Sequence, residues 1–100
     1  MPTFDESYAK SIIARLDQIA GGLLTDYQYD IQDDAEFLLI WAELQADLSE
    51  HELDLRCAEI KAQIAPLLPK RKEEYAWMIT MKRRGNFVAS IYADVLDRDG

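Results

Sequence analysis

Cysteine, histidine and the residues that break helices are all scarce in this chain of 100 residues. A single cysteine, Cys57, rules out an internal disulfide and fits a reducing, cytoplasmic compartment. No apolar run approaches the length needed to span a bilayer, the longest being residues 37–42. The first six residues have neither a basic n-region nor an apolar h-region, so no signal peptide is expected. Four glycines and three prolines against 49% hydrophobic residues describe an ordered, soluble chain. Its length predicts one domain over residues 1–100, large enough to bury about two thirds of its unfolded surface.

Positive charge is the most unevenly missing property. Residues 16–55 contain no Lys or Arg but eleven carboxylates, among them Asp30, Asp33, Asp34 and Glu36. The net charge of −8 is the sum of −11 over residues 1–59 and +3 over residues 60–100. Such a balance disfavours direct contact with nucleic acid, because counterion release requires Lys and Arg. It favours a basic protein surface as partner, although solubility alone also accounts for acidic surfaces.

Apolar spacing predicts an all-α, four-helix compact bundle. Thr3-Phe4-Asp5-Glu6 has capping-box spacing, and Tyr8, Ile12, Leu16 and Ile19 share one helical face up to Gly21-Gly22. Tyr27-Gln28-Tyr29 alternates like a strand but has no evident partner, so residues 23–32 read as a loop or an early helical turn. Phe37, Ile40, Trp41, Leu44 and Leu48 predict the second helix, with Asp30, Asp33 and Asp34 at its start. Ser49-Glu50-His51-Glu52 is a second capping box, opening a helix whose inner face holds Leu53, Cys57, Ile60 and Ile64.

Beyond Pro66 and Pro69, the near-heptad spacing of Tyr75, Met78, Met81, Val88, Tyr92 and Val95 predicts a long C-terminal helix over 70–98. It either breaks at Arg84-Gly85-Asn86 or continues, straight or kinked, through Gly85; the unbroken register favours continuation. Its basic start and acidic end oppose the helix dipole. Local pairing explains this first; contact of the basic end with the acidic stretch between Arg15 and Arg56 within the chain, and an antiparallel homodimer through the 70–98 helix, are the alternatives.

Chemistry has few candidate groups. His51 falls in a first helical turn and Cys57 on an apolar face, so neither points to a nucleophile or a general base. Calcium-loop and Glu-x-x-His patterns are both missing, so no metal or cofactor is expected. The clusters Lys70-Arg71-Lys72 and Lys82-Arg83-Arg84 read as solvated or paired faces in an acidic chain. These residues describe a binder, not an enzyme.

Trp77, Tyr92, Asp94 and the ending Leu96-Asp97-Arg98-Asp99 resemble the tail of the small helical anti-CRISPR proteins of the type I-E class, over about a quarter of the chain. That resemblance implies a phage-encoded, non-enzymatic, helical dimer that binds the CRISPR helicase-nuclease in the host cytoplasm. It makes Asp94, Asp97, Arg98 and Asp99 contact candidates. Related inhibitors occupy the basic DNA-holding surfaces of surveillance complexes, a role that Asp30, Asp33, Asp34 and Glu36 would suit as phosphate mimics. The rival expectation is an acidic helical dimerisation or regulatory module that binds another basic protein.

Overall fold

The computed structural model describes residues 4–32, 37–68 and 77–92. It contains two helices and a four-stranded sheet in the order α1 (Glu6–Ala20), β1 (Leu24–Gln32), β2 (Phe37–Leu44), α2 (Glu50–Ile64), β3 (Trp77–Arg83) and β4 (Asn86–Tyr92). The expected all-α four-helix bundle is therefore wrong, and the fold is mixed α/β. Strands lie in the order β1-β2-β3-β4. The outer pairs are antiparallel, and β2 runs parallel to β3 across the α2 crossover.

Both helices follow local sequence. The Asp5 side chain accepts the Tyr8 N–H at 2.7 Å, so the cap is Asp5 and not Thr3. Gly21 closes α1 with φ 59, a conformation glycine adopts without the Cβ penalty. Ser49 and Glu52 form the reciprocal capping box of α2. The two helices lie against each other on one side of the sheet, α1 also meeting β1 and α2 meeting β4. Stacking of Phe4 on Tyr8, and a 2.8 Å hydrogen bond from Tyr8 Oη to the Leu67 carbonyl, tie the start of α1 to the turn after α2.

The second predicted helix is instead a hairpin. The run Phe37-Leu38-Leu39-Ile40-Trp41-Ala42 is apolar at every position, so it satisfies a helical stripe and a strand equally well. Tertiary pairing decides between them. Tyr29, Ile31 and Leu24 of β1 register with Ile40, Leu38 and Leu44 of β2. The expected loop at residues 23–32 is thus largely a strand, and its missing partner is the segment read as a helix.

The long C-terminal helix over 70–98 is also replaced, over residues 77–92, by two strands. Arg84 and Gly85 have φ 55 and 82, positive at both central residues, as a tight type I′ hairpin turn requires. A dimer built on a helix there has no such helix to use. The resemblance to helical anti-CRISPR proteins fails on the same ground, because Trp77 and Tyr92 stand on β3 and β4. The inhibitor function inferred from that fold falls with it, and so do the helical-bundle and phosphate-mimic descriptions.

Leu38, Ile40, Ala42 and Leu44 of β2 and Trp77, Ile79 and Met81 of β3 are buried against Ile12, Leu16, Ile60 and Ile64 of the helices. Full burial of one such side chain contributes about 1.5–3 kcal/mol. Leu39, next along β2, points to the opposite side and is only half-buried. Leu38→Ala is expected to cost about 2–5 kcal/mol in urea unfolding, and Leu39→Ala clearly less. Equal losses would place the wrong face against the helices.

Candidate protein-binding face

Among the described residues, two helices cover one side of the sheet and no element covers the other. Strand pairing sorts the open side into rows. Asp30, Leu39 and Met78 form one row; Gln28, Trp41, Thr80 and Ser90 form the next; Thr25, Glu43, Lys82 and Phe87 form the last. The two middle strands thus carry Leu39, Trp41 and Met78 at the centre, with Phe37 beyond them. The β1 edge is polar, with Gln28, Asp30 and Gln32.

Large apolar side chains are half-buried or bare on this face. Phe87 is 75% exposed. Leu39, Trp41, Met78, Thr80, Lys82 and Phe87 line a shallow cleft of about 200 Å³. A more polar groove of about 500 Å³ adjoins it at the Glu43 end and is lined by Asp26, Gln28, Trp41, Glu43, Lys82 and Gly85, among others.

Lys82 organises the junction of the two. Its Nζ lies 5.7 Å from the Trp41 ring centroid and 5.2 Å from that of Phe87. Each such cation–π contact is worth about 0.5–1 kcal/mol where water has access. No carboxylate pairs with Lys82 among the described residues. Glu43 instead accepts the backbone N–H of Arg84 and pins the β3–β4 turn. Thr80 Oγ1 and Ser90 Oγ share a hydrogen bond of 3.1 Å, satisfying the one polar residue among the buried set.

β-Bulges interrupt both edge strands at this end. One lies between Thr25 and Gln28, with Asp26 at φ 55, and the other lies opposite Met81 and Lys82. Bulges twist an edge away from further strand pairing. The face, and not the edges, is left available.

Of the eight contact candidates from sequence, only Asp30 is described. It is exposed on β1, registers with Leu39, and accepts a 2.8 Å hydrogen bond from Gln32 Nε2. Asp33, Asp34, Glu36, Asp94, Asp97, Arg98 and Asp99 lie outside the described residues. The other acids of residues 16–55 do not share one surface. Asp17 stands on α1, Asp26 on β1, Glu43 on β2, and Glu50, Glu52 and Asp54 on the first turns of α2. Sequence reading placed Trp41 and Met78 on helical apolar stripes; the two-residue period of a strand is what separates them from Ile40, Ile79 and Met81.

Groups able to do chemistry do not meet in this region. His51 is exposed in the first turn of α2. Cys57 is half-buried with Sγ 4.0 Å from Met81 Sδ, and burial, helped by the Asp54 charge, pushes its thiol pKa up. Among the described residues, no three His, Cys, Asp or Glu side chains are grouped to hold a metal ion.

Beneath the polar groove, the Tyr27 hydroxyl is buried without a normal hydrogen bond. Burial, followed by the nearby Asp17 carboxylate, pushes its pKa up to about 12. A phenol whose folded pKa is raised keeps its full contribution below pH about 10 and loses it as pH climbs towards about 12. Tyr27→Phe is therefore expected to flatten the loss of stability across that window. At neutral pH it should be neutral, or stabilising by up to about 1 kcal/mol, because it removes an unpaired buried hydroxyl. Thermal melts from neutral to alkaline pH measure both effects; destabilisation at neutral pH would show that the hydroxyl has a partner.

Compared with protein-family models, with curated proteins and with solved structures, the chain matches none.

Proposed function

We propose that this chain is a non-catalytic protein-binding domain whose partner polypeptide sits on the open face of the sheet. The observation that carries this reading is the layout of that face. Leu39, Trp41 and Met78 stand at its centre, Phe87 stands beside them, and Gln28, Asp30, Gln32 and Glu43 lie around them. Protein interfaces share this anatomy, with aromatic residues and methionine enriched at a centre poor in charge and polar groups at the rim. Scattered exposed apolar residues need no explanation, but a contiguous patch rimmed by polar groups does.

Supporting the non-catalytic part of the proposal, His51 and Cys57 lie on α2 while the cleft lies across the sheet. Nucleic acid is a poorer fit than protein. The rows of the face offer one cation, Lys82, already held between two rings, and Asp30 and Glu43 would repel phosphate.

Site-directed photo-crosslinking in the producing cell tests this reading. A photoreactive residue at position 39 is expected to yield protein adducts, which Met78→Asp removes. The same group at Gln63, exposed on α2, should yield none. Equal adducts from both positions, or adducts to nucleic acid alone, would contradict the proposal.

A further inference from the structure

We infer that the occupant of the open face is a second copy of this chain, packed sheet against sheet; this rests on the protein-binding reading above. Two sheets stacked face to face keep their strands aligned to within about 30°. A closed homodimer relates them by a twofold axis lying between the sheets. Only two simple directions of that axis exist, and the residues distinguish them.

An axis perpendicular to the strands lays each strand over its own copy. It sets Asp26 and Asp30 of β1 against the same acidic strand. An axis parallel to the strands lays β2 over the partner's β3 and β1 over its β4, keeping each row opposite the same row. Leu39 then faces the partner's Met78, and Gln28 faces the partner's Ser90. Glu43 faces the partner's Lys82, twice over by symmetry. Trp41 faces the partner's Thr80 and Thr25 faces the partner's Phe87, so the match rests on the Leu39–Met78 contact, the Gln28–Ser90 contact and the doubled Glu43–Lys82 pair.

The charge distribution favours this partner over an unrelated basic protein. The chain carries a net charge of −8, which resists self-association in general. Yet at the Glu43 end the face is dipolar: Asp26 and Glu43 lie on β1 and β2, while Lys82 lies on β3 and Arg84 on the turn that follows. A purely basic partner would meet like charge on the second half, whereas a rotated copy meets neither mismatch. Lys82 is already held by Trp41 and Phe87, so pairing immobilises little that was free.

Size agrees with a modest dimer. Four strands about 4.8 Å apart and about seven residues long present roughly 450 Å² of sheet plane per copy. Two copies bury about 900 Å², near the lower limit of specific interfaces. An interface this small is expected to be weak and concentration-dependent.

Light scattering and Trp41 quenching across a micromolar concentration series test this with the full chain. Trp77 is only 2% exposed, so acrylamide quenching reports Trp41. Molecular mass should rise towards twice the chain mass while Trp41 becomes protected in step. Glu43→Lys and Lys82→Glu should each weaken self-association by at least about tenfold, since like charges then face each other. An equimolar mixture of the two variants should restore a heterodimer, because every facing pair is again opposite. Failure of the mixture to associate, or either variant dimerising as strongly as the wild type, overturns the inference. A wild-type chain that stays monomeric with Trp41 equally accessible at all concentrations overturns it without any variant. In that case the crosslinks from position 39 still decide the protein-binding reading separately.

Discussion

Pairing of Leu38–Glu43 with Trp77–Lys82, parallel and in register, is the constraint on which the rest of the molecule depends. Parallel neighbours need a crossover, and α2 supplies it, so forming this pair fixes where α2 must lie. Side chains on a strand alternate, so once α2 and α1 cover Ile40 and Ile79, Leu39, Trp41 and Met78 must project the other way. Among the described residues there are two α-helices, both on one side. The bare apolar face is therefore a consequence of topology as much as of composition.

That face also explains an otherwise costly choice of residues. Antiparallel sheets with one solvated side normally alternate hydrophobic with polar residues. The outer strand β1 obeys this, with Gln28, Asp30 and Gln32 outward and Tyr29 and Ile31 inward. The middle strand β2 does not: Phe37, Leu39 and Trp41 face out as well. A strand apolar on both sides is what the proposed protein-binding role would require, with helices on one side and a partner polypeptide on the other. Bulges on both edges and a turn pinned by Glu43 make the centre of the sheet the proposed place of contact.

Helices were legible in the sequence because their signals are local. Ser49 and Glu52 specify a helix start whatever surrounds them, and Gly21-Gly22 specifies an end. Strands were not legible, because a strand is stabilised by residues distant in sequence. Tyr27-Gln28-Tyr29 showed the right alternation but was set aside for want of a partner, and the partner was residues 37–44, whose unbroken apolar run fitted a helix too. Arg84-Gly85-Asn86 offered a break in a helix, but the register favoured continuation through Gly85. Arginine at positive φ is uncommon enough to disguise it as anything but a hairpin turn. The candidate site was legible only in Asp30. Acidity drew attention to residues 16–55 as a block, but the described carboxylates among them are spread over α1, β1, β2 and α2, and the proposed contact area lies with aromatic and apolar residues of β2 and β3.

Period-two exposure along β2 is the property that makes both the fold and the binding face what they are, and cysteine labelling measures it directly. Single cysteines at positions 39, 40, 41 and 42, placed in turn in a Cys57→Ser background, are to be reacted with a thiol reagent in dilute solution. Fast labelling at 39 and 41 with slow labelling at 40 and 42 is the result a half-covered strand requires. Labelling that recurs every three to four residues, or that does not differ between neighbours, would contradict it.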